Sequence, residues 1–218
     1  MIQRAIAEKA TQLASAFPVL TVTGPRQSGK STLVKELFPE LPYVLLEDPD
    51  VRLFAQQDPR RFLATYPDGA IFDEVQRVPE LFSYLQGVVD QQPAPRHPYV
   101  LTGSQNFLLL ESIGQTLAGR TAVLKLLPLS YPELQSSNRP PNTLDELMLR
   151  GGYPRLSNVT LAPADFYPSY IQTYLERDVR SVQAIQDLSA FVRFMKLCAG
   201  RVGSILNLSS LASIAAWP

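Results

Sequence analysis

Hydrophobic and polar positions alternate along this chain with two different periods, and the switches between them outline its elements. Ile2, Ile6, Leu13 and Phe17 fall on one helical face, which predicts an amphipathic helix over residues 1–17, ended by Pro18. Val19-Leu20-Thr21-Val22-Thr23 is a β-rich run, followed by a glycine loop and then by Leu33, Val34 and Leu37 at helical spacing. A second strand is predicted at Tyr43-Val44-Leu45-Leu46. Asp48 before Pro49 and Asp58 before Pro59 are N-caps followed by proline at the first helical position, so two short helices are expected between residues 49 and 66. Ala70-Ile71-Phe72 is a third strand running into Asp73-Glu74. Pro79 then opens a helix bearing Leu81, Phe82, Leu85, Val88 and Val89. The proline-rich stretch from Gln91 to Pro98 reads as a loop, with His97 a surface residue. Tyr99-Val100-Leu101-Thr102 is a fourth strand, a helix spans about Phe107 to Leu117, and Thr121 to Leu126 is a fifth strand.

Strands alternating with helices predict an α/β fold with a mostly parallel sheet covered on both faces. After Pro128 the strand signals stop. Ser130 with Glu133, and Thr143 with Glu146, have capping-box spacing and start helices, the second ended by Gly151-Gly152. Ile171, Tyr174, Leu175 and Val179 form one helical face, and Leu188 to Ala199 forms another helix with Gly200 past its end. A boundary is therefore expected near residue 128, with a helical module behind it.

Composition narrows the picture. In 218 residues, 20 Lys and Arg balance 20 Asp and Glu, so no strong field marks the whole chain as a polyanion binder. The single cysteine, Cys198, excludes an internal disulfide and a multi-cysteine metal site and reads as a small apolar residue inside a helix. The first residues lack an apolar run of signal-peptide type, and no stretch approaches the ~20 apolar residues that span a bilayer. A soluble, cytoplasmic protein with no membrane partner is expected.

The chemistry lies in one loop. Gly24-Pro25-Arg26-Gln27-Ser28-Gly29-Lys30-Ser31 matches G-x-x-x-x-G-K-[ST] in full, with a strand leading in and a helix leading out. Such a loop turns backbone N–H groups toward one point, and the following helix adds its positive end. The stretch from Gly24 through Ser31, together with Thr32, is the expected nucleotide-binding set, with ATP and Mg²⁺ as ligands. Lys30 would reach the β/γ-phosphates and the Ser31 hydroxyl would ligate Mg²⁺. A second acidic site is then required on a neighbouring strand end, and Ile71-Phe72-Asp73-Glu74 supplies it. Asp73 is the expected metal ligand and Glu74 the base that polarises the attacking water, a pairing that favours hydrolysis over transfer to an alcohol. The fourth strand ends in Thr102-Gly103-Ser104-Gln105-Asn106, where Asn106 or Ser104 can bond the water or the γ-phosphate, or cap the next helix. Arg120 lies just before the fifth strand. Its two readings are an arginine that meets a neighbour's γ-phosphate and a surface arginine in an intramolecular ion pair.

These motifs occur in an order that carries a resemblance. Gly24 to Ser31, Asp73-Glu74-Val75-Gln76, Thr102 to Asn106 and Ala118-Gly119-Arg120 are followed by Pro128-Leu129-Ser130-Tyr131-Pro132-Glu133-Leu134, Gly151-Gly152-Tyr153-Pro154 and Tyr174-Leu175-Glu176-Arg177-Asp178-Val179. Together they resemble the prokaryotic AAA+ ATPases whose P-loop NTPase domain is followed by an uncharacterised C-terminal domain. The resemblance implies a five-stranded sheet in the order 5-1-4-3-2, with Lys30, Glu74, Asn106 and Arg120 in catalytic roles. Arg120 sits where such relatives place the arginine finger, which implies a homo-oligomer with Arg120 acting in trans. The implied organisation is an ATPase core over 1–127, a helical lid-like module over 128–203, and over 204–218 the start of a winged-helix-like segment that relatives continue and this chain cuts short.

Two other classes remain open at this level. A P-loop kinase would use Arg155, Arg177 and Arg180 as a phosphate-closing lid, against which the Asp73-Glu74 pair speaks. A binding module is the other: residues 177–218 hold five basic residues (Arg177, Arg180, Arg193, Lys196, Arg201) against Asp178 and Asp187, which points to a DNA or protein client or to a solvated face.

Overall fold

Consecutive residues of the central strands enter opposite cores, and this places the sheet between two layers of helices. Val19, Phe72, Tyr99 and Leu101 pack into one cluster, while Leu20, Val22, Ile71 and Val100 pack into the other. The computed structural model describes residues 2–91, 98–104, 114–174 and 188–215. Its strands are β1 (Val19–Gly24), β2 (Tyr43–Leu45), β3 (Ile71–Asp73), β4 (Tyr99–Ser104) and β5 (Thr121–Lys125). They pair in the order β2-β3-β4-β1-β5, every pair parallel, which is the order the resemblance implied. A strand buried on both faces needs an unbroken apolar or small-polar run, and all six residues of β1 are buried.

The first layer comprises α1 (Ala7–Ala16) and α2 (Lys30–Leu37), which set Ala10, Ala14, Leu33 and Val34 against Leu20 and Val22. The second comprises α3 (Pro49–Gln57), α4 (Pro59–Ala64) and α5 (Leu81–Gln91). Its centre is aromatic: Phe72 lies 5.4 Å from Phe62 and is stacked on Tyr99 at 6.0 Å between ring centroids. The Tyr99 hydroxyl donates to the Tyr66 carbonyl at 2.8 Å, so the ring is buried without stranding its polar end. Asp48 and Asp58 cap as expected, accepting from the Asp50 and Arg61 amides.

Helix α1 begins later than the periodicity predicts. Residues 2–6 are not helical, because the Arg4 side chain and the Ala5 amide are committed to Glu133 instead. A 3₁₀ turn, Val75–Arg77, follows β3 and was not foreshadowed by any period. The expected 91–98 loop and the 107–117 helix lie largely outside the described residues.

The strand pattern ends near residue 128, but the chain divides into compact units at 160/161, so residues 128–160 belong with the sheet. Here α6 (Tyr131–Gln135) starts with the Ser130/Glu133 capping box, α7 (Leu144–Arg150) is capped by Thr143 and stopped by Gly151 at φ +61°, and α8 (Pro154–Asn158) follows. The second unit, 161–218, contains α9 (Pro163–Tyr174), α10 (Leu188–Ala199) and α11 (Leu208–Ala215). Within it Arg201 donates to the Ser210 hydroxyl at 2.9 Å. Cys198 lies half-buried within α10, and Arg193 and Lys196 are exposed on the same helix. Arg177 and Arg180 lie outside the described residues. Among the described residues no helix is long and apolar enough to cross a membrane.

Candidate functional site

Strand β1 ends at Gly24 and helix α2 begins at Lys30, and the loop between them doubles back through two left-handed residues. Gln27 has φ +59° and Gly29 has φ +95°. The second is a position where glycine avoids the strain a Cβ would bring. Gly24 is required for another reason: a Cβ there would lie 2.1 Å from the Leu126 carbonyl oxygen. Ser28, inside the turn, is fully buried. Alternating right- and left-handed residues leading into a helix N-terminus turn amides toward a common point, which suits an anion.

Lys30 is buried, and its ammonium donates to the carbonyls of Gly24 and Pro25, at 3.0 Å each. The lysine therefore lies folded over the loop. Ser31 donates from its hydroxyl to Asp73 Oδ2 at 2.6 Å. This contact joins the first turn of α2 to the end of β3, so the loop and the acidic strand end form one site. Thr32 is exposed on the same turn.

Asp73, 3% exposed, is held on every side. Its Oδ2 also accepts from the Tyr43 hydroxyl, while Oδ1 accepts from the Thr102 hydroxyl and from the Glu74 amide at 3.1 Å. Four donors saturate a carboxylate and fix its plane. Burial, and then the hydrogen bond to the Asp73 carboxylate, push the Tyr43 phenol above its ordinary range. The Lys35 ammonium lies 3.4 Å from the Tyr43 ring centroid, a cation–π contact that fixes the ring from the other side. Sequence reasoning gave Tyr43 no role. The signal was available once the strand order was known: β2 and β4 flank β3, so polar residues on those strands can reach Asp73.

Glu74 occupies the left-handed region at φ +59°, uncommon for a residue with a side chain and worth about 1–3 kcal/mol of strain. Its carboxylate accepts from the Gln76 amide nitrogen across the 3₁₀ turn. Ser104 pairs in register with Gly24, and its hydroxyl is buried without a hydrogen-bond partner among the described residues. Asn106 lies outside the described residues.

Arg120 is elsewhere. Its carbonyl accepts from the Val19 amide, which puts it at the start of β1, while the loop lies at the end of that strand, roughly 17 Å away at the usual rise per residue. Its guanidinium is paired with Asp90, at 2.6 and 2.9 Å. The ion-pair reading of Arg120 therefore holds within the chain.

The donor set fits a magnesium–triphosphate. Ser31 and Asp73 offer hard oxygens at one point, and Mg²⁺ in phosphate sites needs only one or two carboxylates beside water and substrate oxygens. Among the described residues no group of three His, Cys, Asp or Glu offers an all-protein metal cage.

Comparisons with known proteins bear on the family and the fold. Residues 141–216 match a domain of unknown function (DUF8612). An uncharacterised protein of Mycobacterium tuberculosis (Rv2008c) is 30% identical over 200 residues, covering 89% of this chain and 44% of the relative. The chain thus spans less than half the length of the curated relatives it matches. Among solved structures, a Walker-type ATPase of Pyrococcus abyssi superposes with a TM-score of 0.54 at 17% identity, over 84% of this chain and 77% of that one. A RuvB variant of Thermotoga maritima gives 0.50 at 16% identity, over 99% and 82%. These likenesses are of fold. Residues 16–135, which carry the phosphate-type loop and the whole sheet, match the AAA domain family, and the chain belongs to that family.

Proposed function

We propose that the chain binds ATP with Mg²⁺ at the carboxyl ends of its strands and hydrolyses it to ADP and phosphate. The observation that carries this reading is the 2.6 Å contact between Ser31 and Asp73, which brings the loop and the acidic strand end to one place. The loop from Gly24 to Ser31 and the first turn of α2, including Thr32, cradle the phosphates. Lys30 leaves the Gly24 and Pro25 carbonyls for the β/γ-phosphate oxygens. Ser31 and Asp73 would hold Mg²⁺, Asp73 by releasing one of its four donors, and the ion would neutralise charge developing on those oxygens.

Glu74, the next residue after Asp73, accepts the proton of the attacking water and orients it. To do so its carboxylate gives up the Gln76 amide. Ser104 and Asn106 are the polar groups proposed to steady that water from β4. Arg120 is too far from its own loop to act there, so the role proposed for it is at a neighbouring copy's phosphates, once its Asp90 pair opens.

The test replaces Glu74. Glu74→Gln should bind nucleotide within about twofold of the wild type while phosphate release falls about 10²-fold or more, the share a positioned base supplies. Phosphate release is measured with no acceptor present, since a kinase would show little. Turnover retained in Glu74→Gln would remove Glu74 from the mechanism.

A further inference from the structure

The residues that hold the phosphate loop from behind have no part in the chemistry above, although they come from three distant stretches. Arg4 uses its whole guanidinium fork. Nε donates to Glu133 Oε1 at 3.1 Å, Nη1 to the Ser28 carbonyl at 2.8 Å and Nη2 to the Leu127 carbonyl at 2.7 Å. Both charged side chains of the pair are 9% exposed. Glu133 is itself filled: Oε1 also accepts from the Ala5 amide at 2.8 Å, and Oε2 from the Ser130 amide and hydroxyl at 2.7 and 3.0 Å.

The carbonyl that Arg4 holds belongs to the Ser28–Gly29 peptide. That unit is planar and trans, so pulling its C=O toward Arg4 points the Gly29 N–H the opposite way. The Ser28 hydroxyl makes no hydrogen bond among the described residues, so this peptide is oriented through its carbonyl. A Cβ on Gly29 would lie 3.5 Å from Arg4 Nη1 and 3.9 Å from Pro154, and the Leu129 amide donates to the Gly152 carbonyl at 2.6 Å. The Pro128–Leu134 and Gly151–Pro154 motifs thus form the backing of the loop.

We propose that Arg4, clamped by Glu133, is a positioning residue for the phosphate loop: it sets the Ser28–Gly29 peptide so that the Gly29 amide meets a nucleotide phosphate. The ligand half of this inference rests on the ATP-binding reading; the loop half does not.

The experiment compares wild type, Arg4→Ala, Arg4→Lys and Glu133→Gln. Hydrogen–deuterium exchange of the peptide covering residues 24–33 is followed without nucleotide, and binding of the fluorescent analogue mant-ATP with Mg²⁺ is measured in parallel. Arg4→Ala should speed exchange in the loop peptide and raise the mant-ATP dissociation constant, each by about tenfold, the loss expected for a charge-assisted hydrogen bond. Peptides from β4 and α5 should be unchanged, which a general loosening would not allow. Arg4→Lys keeps the charge without the fork and should fall between. Glu133→Gln keeps the cap but weakens the clamp, so it should move the loop peptide in the same direction. Should Arg4→Ala fail to fold, the other two variants decide. Loop exchange equal to wild type in every folded variant overturns the inference. A wild type that binds no mant-ATP overturns the nucleotide reading instead, while the exchange comparison still decides the role of Arg4 in the loop.

Discussion

Replacing Gly24 by alanine and replacing Gly87 by alanine are chemically the same change, yet the structure assigns them opposite signs. At Gly24 the new methyl would sit 2.1 Å from the Leu126 carbonyl oxygen and 3.1 Å from its carbon, both backbone atoms that cannot rotate aside. The residue also has φ +152°, where a side chain is strained. Overpacking costs about 1–3 kcal/mol and a strained backbone about as much again, so a loss of roughly 2–6 kcal/mol is expected. At roughly 2–4 °C per kcal/mol for a chain of this size, the melting transition of the sheet should fall by at least about 4 °C. Gly87 lies exposed in α5, and a Cβ there would meet nothing within 4 Å. Its replacement removes unfolded-state freedom and should add about 0.5–1 kcal/mol, raising the transition by about 1–4 °C. Circular dichroism melts read both. Because Gly24 is the last residue of β1 before the phosphate loop, a displaced backbone there should also weaken mant-ATP binding. The reasoning is refuted if Gly24→Ala melts within about 1 °C of the wild type, or if Gly87→Ala lowers the transition.

Two further expectations concern single polar groups. Tyr43→Phe keeps the ring under Lys35 but deletes one donor to the buried Asp73 carboxylate, so urea unfolding should show a loss of about 1.5–3 kcal/mol; unchanged stability would mean the bond contributes nothing. Burial raises the Glu133 carboxyl, but the Ser130 and Ala5 amides and then Arg4 outweigh it and hold the group below its ordinary 4.5. A carboxylate depressed in the folded state stabilises above its unfolded value and loses that contribution as pH falls through its folded value. The stability gap between wild type and Glu133→Gln should therefore be constant above pH 4.5 and narrow below it; a gap indifferent to pH would contradict the assignment.

Local signals were readable from the amino acids where a single residue decides a local structure. Asp48 and Asp58 each accept an amide at the start of their helices, Thr143 and Gly151 bracket a helix, and the Gly24–Ser31 octet runs from the end of a strand through a loop into the first turn of a helix. The sheet order was legible through the resemblance, since neighbouring strands come from residues far apart and no period records their pairing. What escaped depends on partners distant in sequence. Arg4 falls inside the helix predicted over residues 1–17, and nothing local marks it out, because Glu133 stands 129 residues away. Tyr43 looked like a strand aromatic, because the carboxylate that engages its hydroxyl lies on the next strand over. Strand β4 runs to Ser104, two residues beyond the apolar run, because Gly103 and Ser104 find register partners in Thr23 and Gly24.

The place of β1 within the sheet has a consequence for how the chain is made. Of the five strands of this sheet it leaves the ribosome first, but its two neighbours, β4 and β5, begin roughly 80 and 100 residues later. At about 5–20 residues per second, the apolar run Val19–Val22 waits roughly 5–20 s before both of its sides can be covered. Strands β2 and β3 are closer in sequence and can pair in the meantime. During synthesis the segment that leads into the phosphate loop is therefore the part of the sheet that waits longest for its neighbours, and the interval in which a chaperone or a misfolded neighbour can capture it is set by translation speed.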